Sequence, residues 1–230
     1  MDAWTTNTVQ TADRVSAFLW KVYGWMAIGL GLTAMVAFAV ASSPDLLRVL
    51  VGNRLVFFAL VIAELGLVFF LSARADRLAP GTAAGLFAIY SALNGVTLSV
   101  VLLAYTGESV TMTFVVTAGM FGALALFGST TKRSLAGAGQ FFMMGLVGLI
   151  LASLIGMFWH NDALQFLISI VGVIVFTGLT AWDAQRLKQM ALALPQGQVG
   201  SYAVVGALSL YLDFINLFLM LLRLTGGRRE

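Results

Sequence analysis

Three carboxylic acids lie within long apolar runs of the sequence: Glu64, Asp183 and Asp213. A lone carboxylate at the centre of a lipid bilayer costs at least about 2.5–3.5 kcal/mol on insertion scales, so each acid needs a partner, a proton or water. Two acids in one apolar site do not both ionise cheaply and would share a proton. Such residues are typical of ion pathways and proton relays, and structural hydrogen bonding between helices is the alternative.

The composition places these acids in a membrane. Hydrophobic residues make up 60% of the 230 residues and charged residues only 10%, against roughly 25% in an ordinary soluble domain, which excludes a water-soluble fold. The chain has no cysteine, so a disulfide framework, a thiolate metal site and a cysteine nucleophile are excluded. The net charge of +3 is scattered over the connections, which indicates membrane topology and not nucleic-acid binding.

Seven apolar runs approach the length of about 20 residues that a helix needs to cross a bilayer. We therefore predict an all-α integral membrane protein, multi-pass, embedded in the lipid bilayer. Turn and charge signals separate the runs, among them His160 to Asp162 and Leu194 to Gly197. The predicted spans are Val22 to Ser42, Arg54 to Ala73, Thr82 to Ala104, Ser109 to Gly128, Leu135 to Trp159, Ala163 to Trp182 and Ala203 to Leu224.

No connection is long enough to form a separate domain. We predict a cytoplasmic N-terminal segment at 1–21, a transmembrane domain at 22–224 and a short C-terminal tail at 225–230. Close glycine spacings within the spans, at Gly29/Gly31, Gly119/Gly122 and Gly145/Gly148, predict that helix backbones approach each other there.

The basic residues predict the orientation, because cytoplasmic connections are enriched in Lys and Arg. With the N-terminus inside, the inner segments carry eight basic residues and the outer segments five. The connections around Glu108 and around His160 to Asp162 carry none, which favours the outside for both. The N-terminus is therefore predicted to be cytoplasmic.

This topology brings functional groups to the cytoplasmic half of the bundle. The sixth span runs inward and the seventh starts inside, so Asp183 and Asp213 approach each other from the two sides of one connection. The second span also ends inside, which brings Arg74 and Arg77 to that level. The two aspartates with a nearby arginine would form a pH switch.

Polar stripes accompany the acids on two helices. Helical spacing places Ser209, Asp213 and Asn216 on one face of the seventh span. Tyr90, Asn94 and Thr97 share a face of the third span. Together with Glu64, these residues would line a hydrated path, and interhelical hydrogen bonding accounts for them equally well.

Two segments carry a resemblance to a known family. The last span, ALSLYLDFINLFLMLLRL, and the end of the sixth, FTGLTAWDAQRLK, resemble the Bax inhibitor-1 family of transmembrane Bax-inhibitor-motif proteins. The resemblance implies two three-helix layers around a central C-terminal helix and a pH-sensitive calcium leak. It also implies that a hydrogen-bonded aspartate pair gates the path, and these aspartates match Asp183 and Asp213. The family's arginine at the end of the second helix matches Arg74 better than Arg77.

The resemblance further implies a bacterial member in the cytoplasmic (inner) membrane, with calcium ions and protons as its ligands. No resident cofactor is expected. No D-x-D-x-D-G loop occurs, so a calcium site of high affinity is not expected either. The sequence specifies no protein partner.

Two other classes of function compete with the leak. An intramembrane aspartyl protease would use two aspartates to activate a water, but Asp213 lacks the G-x-G-D context of such enzymes. A membrane scaffold without transport is the other alternative. Other enzymes have less support, since His160 is the only histidine and H-E-x-x-H is absent, so we expect no enzyme.

Overall fold

A computed structural model describes residues 3–159, 161–194 and 199–229 of the chain. Seven long α-helices account for most of them. The helices are α1 (Ala3–Ala41), α2 (Arg54–Ala73), α3 (Pro80–Ala104), α4 (Gly107–Thr130), α5 (Ala136–Phe158), α6 (Asp162–Ala193) and α7 (Val199–Thr225). Two short helical segments, Pro44–Leu46 and Leu47–Val51, connect α1 to α2.

All seven helices are long and apolar enough to cross a membrane, as far as the described residues show. The shortest has 20 residues, which at about 1.5 Å per residue spans the hydrocarbon core of about 30 Å. Short polar side chains cap the N-termini of several helices by accepting hydrogen bonds from backbone amides of the first turn. Asn53 Oδ1 accepts from Leu55 N at 3.1 Å before α2, and Asn161 Oδ1 accepts from Ala163 N at 2.9 Å in the first turn of α6. The predicted all-α membrane fold with seven spans is confirmed.

The helix ends agree with the predicted spans within a few residues at most positions, and α2 has the predicted bounds. Two spans are exceptions: α1 begins at Ala3, well before the predicted start at Val22, and α6 continues to Ala193, whereas its span was predicted to end at Trp182. The residues between Trp182 and Pro195 are mostly good helix formers, and none of them is a proline. Asp183 is therefore an interior residue of a helix. The predicted turn at 195–197 and the predicted outer position of His160 lie outside the described residues.

The chain divides into two compact units. Unit 1 consists of the described residues of Met1–Ala104 and Lys188–Tyr211, so it holds α1, α2, α3 and the first half of α7. Helices α1 and α3 pack closely at Gly95, where a Cβ atom would lie 2.7 Å from the backbone oxygen of Thr33. The Arg14 guanidinium also donates to the carbonyl of Leu194 at 3.2 Å, where a positive charge suits the end of α6.

Unit 2 consists of the described residues of Tyr105–Leu187 and Leu212–Glu230. It contains α4, α5, most of α6 and the second half of α7, around an apolar core. The buried members of that core are Leu149, Ile168, Val175, Phe176, Leu179, Leu217 and Met220. The C-terminal tail returns to the start of α4, where Gly227 N donates to Ser109 Oγ at 2.9 Å and the Gly227 carbonyl oxygen accepts from Thr106 N at 3.0 Å.

Burial differs strongly among the helices. In α7, 67% of the most apolar stretch is buried, against 11% in α2 and in α5. The exposed apolar side chains of α2 and α5 are those expected of helices facing lipid. The layered arrangement and the segment boundaries at 21 and 224 stay predictions, as does the cytoplasmic N-terminus.

Of the glycine pairs predicted within unit 2, only Gly145 lies close to another helix, where an added Cβ atom would be 3.0 Å from the Val175 side chain. A Cβ atom added at Gly119 or Gly122 would meet nothing within 4 Å. At Gly128 of α4, an added Cβ would collide with the backbone of Ala181 in α6. Sequence spacing does not show which glycines face a neighbouring helix, because that depends on how each helix is rotated.

We predict that Gly128→Ala lowers the free energy of unfolding by about 1–3 kcal/mol, because two helix backbones must separate to admit the methyl group. The matched control is Gly122→Ala in the same helix, which has open space and should change stability by less than about 0.5 kcal/mol. Thermal unfolding of the detergent-solubilised protein measures both. Equal unfolding midpoints for the two variants would contradict the packing at Gly128.

Candidate functional site

The two late aspartates belong to the same compact unit. Asp183 lies half-buried in α6, and Asp213 lies in α7 with only 6% of its surface exposed. Their carboxyl groups are close enough to interact electrostatically. The Oδ2 atom of Asp213 is buried and has no hydrogen-bond partner among the described residues. The structure therefore brings together the two acids that the sequence predicted to meet.

The part of α6 just before Asp183 packs closely against α4 and α5. Gly128 of α4 lies directly against the backbone of Ala181, and Gly139 of α5 lies against the indole ring of Trp182. One turn earlier, Gly178 of α6 lies against the ring of Phe142 in α5. Small residues let the neighbouring helices approach α6 at these three points, so the segment that carries Asp183 has little freedom to rotate.

Gln185 makes two hydrogen bonds on the side of α6 opposite to Asp183. Two residues correspond to about 200° of rotation, so Gln185 points away from Asp183. The buried Gln185 side chain accepts a hydrogen bond from Leu135 N at 2.8 Å and donates one to the carbonyl of Arg133 at 2.8 Å. Both partners belong to the connection between α4 and α5. Gln185 thus ties the helix that carries Asp183 to this connection.

The surroundings of Asp213 are apolar. Phe214 packs edge-on against Phe114 and Phe121 of α4, with ring centroids 5.3 Å and 5.5 Å away. Leu217, one turn after Asp213, is fully buried. A carboxylate in this setting has little solvation, and its described electrostatic neighbour is another acid.

A basic group other than the predicted arginine lies beside the pair. Arg186, one turn after Asp183, interacts electrostatically with that carboxyl group, and its guanidinium stacks 5.6 Å from the Trp182 ring centroid. Arg74 ends α2 in unit 1, where its guanidinium lies 5.5 Å from the Phe70 ring. Arg77 pairs with Asp76 at 3.6 Å, and both side chains are exposed. A role for Arg74 or Arg77 at the aspartate pair stays a prediction.

The other predicted polar residues fall into separate settings. Glu64 has a partner in unit 1, because Asn94 Nδ2 donates to Glu64 Oε2 at 3.4 Å. Asn216 donates to the carbonyl of Leu212 on its own helix at 2.8 Å, and Ser209 is half-buried. Whether these four residues line an ion path stays a prediction.

Sequence reasoning missed three residues of these sites. Gln185 and Arg186 were read only as a connection after the sixth span, although the polar run W-D-A-Q-R-L-K contained the signal. The sequence suggested no role for Tyr211, which is a fully buried hydrogen-bonding residue in unit 1. In each case the helix rotation, which composition does not show, determines the role.

Seven apolar helices with acids buried among them define a multi-pass α-helical membrane protein. Residues 15–230 match the family model described as "Inhibitor of apoptosis-promoting Bax1". The chain therefore belongs to the Bax inhibitor-1 family.

Bacterial relatives resemble the chain over nearly its whole length. Inner membrane protein YbhL of Escherichia coli strain K12 is 48% identical over 226 residues, which cover 97% of each chain. A protein of Borreliella burgdorferi is 44% identical over 215 residues, covering 93% of each chain. A protein of Deinococcus radiodurans is 42% identical over 220 residues, covering 95% of this chain and 94% of the relative.

We predict that Gln185→Leu lowers the free energy of unfolding by about 1–3 kcal/mol, because two backbone groups lose their partners. Hydrogen exchange at the Leu135 amide should also become faster. Gln189→Leu is the matched control, since Gln189 is exposed on the same helix. An unchanged Leu135 exchange rate in the Gln185 variant would show that the side chain does not hold this connection.

Proposed function

We propose that the protein is a pH-sensitive leak for cations, with calcium as a transported ion, in the bacterial cytoplasmic membrane. One observation carries the proposal: Asp183 and Asp213 interact within one apolar unit, and a buried oxygen of Asp213 has no donor. Two carboxyl groups in such a site are most stable when one proton is shared between them. The pair then acts as a proton-sensitive gate.

The gate acts through repulsion between α6 and α7. While the proton is shared, the pair carries one negative charge; loss of that proton creates two charges in an apolar setting and strains the helix contact. Arg186 beside Asp183 moderates this repulsion from the exposed side. Carboxylate oxygens also suit calcium, a hard cation that prefers oxygen ligands. The same two side chains thus sense protons and favour passage of a cation.

The remaining assignments follow from this proposal. The name of the E. coli relative, an inner membrane protein, supports the location, and the excess of inner basic residues supports a cytoplasmic N-terminus. The ligands are lipid, calcium ions and protons, without nucleic acid, and the protein acts without a cofactor and without enzymatic turnover. Calcium is proposed as the transported ion and not as a resident metal. Within the described residues, no group of three His, Cys, Asp or Glu side chains could hold a metal.

We predict that purified protein in liposomes passes calcium at a rate that changes about tenfold or more between pH 5.5 and pH 8.5, as expected for titration of one shared proton. Asp183→Asn and Asp213→Asn should each flatten this response to within about twofold, because either change removes the second charge. A fluorescent calcium indicator inside the liposomes measures the flux. Glu108→Gln, at an exposed acid at the start of α4, is the control that should keep the response.

Flux equal to that of empty liposomes at every pH would contradict the leak and favour the scaffold or the aspartyl protease. Those two alternatives separate readily, because a protease loses substrate cleavage when either aspartate is replaced. A pH response that survives in both asparagine variants would locate the gate elsewhere.

A further inference from the structure

A chain of side-chain hydrogen bonds joins four helices of unit 1. Asn94 Nδ2 of α3 donates to Glu64 Oε2 of α2 at 3.4 Å, and Asn94 Oδ1 accepts from the Tyr211 hydroxyl of α7 at 3.0 Å. The Tyr211 hydroxyl lies 2.6 Å from Thr33 Oγ1 of α1. Thr33 Oγ1 in turn lies 2.8 Å from the carbonyl of Ser91. The chain begins at an acid and ends at a backbone acceptor.

Rigid packing fixes the middle of this chain. Tyr211 is fully buried, and its ring packs edge-on against Phe87 and Tyr90 with centroids 5.7 Å away in each case. Thr33 is buried where α1 and α3 pack closely, beside Gly95. The two hydroxyl oxygens and the Asn94 amide are therefore held in place, and only their hydrogens and the amide orientation remain free to change.

The hydrogen bonds of this chain can run in either of two directions, depending on whether Glu64 is ionised. If Glu64 is ionised, every donor points toward it: Thr33 donates to Tyr211, Tyr211 to Asn94, and the Asn94 amide to the carboxylate. If Glu64 holds a proton, its hydroxyl donates to Asn94 Oδ1 after a half-turn of the amide. The Asn94 NH₂ then donates to Tyr211, Tyr211 to Thr33, and Thr33 to the Ser91 carbonyl. Both orders use the same heavy-atom positions.

We propose that Glu64 is a second proton-binding site of this protein, and that uptake of a proton there reverses the direction of the Asn94–Tyr211–Thr33 hydrogen-bond chain. The site lies wholly in unit 1 and is separate from the aspartate pair of unit 2. The only covalent change is the O–H bond formed at Glu64; the amide and the two hydroxyls rotate. The ligand of this site is a proton.

The neighbours of Glu64 favour a carboxyl group that binds and releases a proton over one that stays ionised. Its Oε1 atom is buried without a hydrogen-bond partner among the described residues, and the interactions described for it involve no basic side chain. The titratable groups that face it are Tyr90 from α3 and Tyr211 from α7. The Thr97 hydroxyl lies beside the carboxyl group and also donates to the Asn94 carbonyl at 3.0 Å.

Infrared difference spectroscopy in lipid bilayers tests this proposal without any flux measurement, so it does not depend on whether the protein leaks calcium. The full-length protein carrying Asp183→Asn and Asp213→Asn lacks the two acids of the pair and serves as the parent. The spectra of this parent should show a carboxylic-acid carbonyl band that disappears with rising pH, between about pH 5 and about pH 9. Adding Glu64→Gln should abolish the band, and adding Glu108→Gln at an exposed acid should leave it in place.

The hydrogen-bond chain is tested by Tyr211→Phe and by Thr33→Val, each of which removes one hydroxyl with little change of shape. In the ionised state Thr33 donates to Tyr211 and Tyr211 to Asn94, and bonds in such a chain polarise one another, which strengthens the bond from the Asn94 amide to the charged carboxylate. Each variant should therefore move the midpoint of the band to higher pH, by about half to one unit for Tyr211→Phe. Circular dichroism confirms that the variants are folded.

Two results would overturn the proposal. The first is a parent spectrum without any band that depends on Glu64. The second is a Glu64-dependent band whose midpoint is unmoved in both folded hydroxyl variants, because the acid would then titrate without the chain.

Discussion

The structure depends on the high free energy of a carboxylate in an apolar helix bundle. A buried acid there needs a proton, a donor or an opposite charge, and each arrangement constrains the helix that carries it. Asp213 has an acidic neighbour, Asp183, and Glu64 has an amide, Asn94. The two compact units thus each contain an acid with one buried oxygen that lacks a hydrogen-bond partner among the described residues, and each acid has a different kind of neighbour.

Small residues make the arrangement of the aspartates possible. Apolar side chains gain nothing by leaving lipid for another apolar surface, so close backbone packing and hydrogen bonds hold the helices together. Gly128, Gly139 and Gly178 supply such packing around the middle of α6, and Gln185 ties the same helix to the α4–α5 connection. A pair of acids that repel when both are ionised requires this kind of support, because the contacts must survive the change of charge.

Hydropathy and turn signals were sufficient to predict the seven helices, because span length follows directly from bilayer thickness. The bounds of α2 were predicted correctly, whereas the end of α6 was wrong because amphipathic residues extend the helix beyond its apolar part. The meeting of the two aspartates was also predicted. The partner of Glu64 and the roles of Gln185 and Arg186 were not, since they depend on helix rotation, and rotation is set by packing that a single sequence does not reveal.

A double-mutant cycle on Asp183 and Asp213 tests the central claim, that the two acids titrate as one unit, most directly. Thermal stability would be measured against pH for the wild type, Asp183→Asn, Asp213→Asn and the double variant. Burial opposes the ionisation of each acid, and repulsion adds to this cost only when both are ionised, so stability should fall as the pH rises in the wild type by more than the sum of the falls in the two single variants. The double variant should show the smallest fall. Effects of the two changes that simply add would show that the acids titrate independently and would contradict the shared proton.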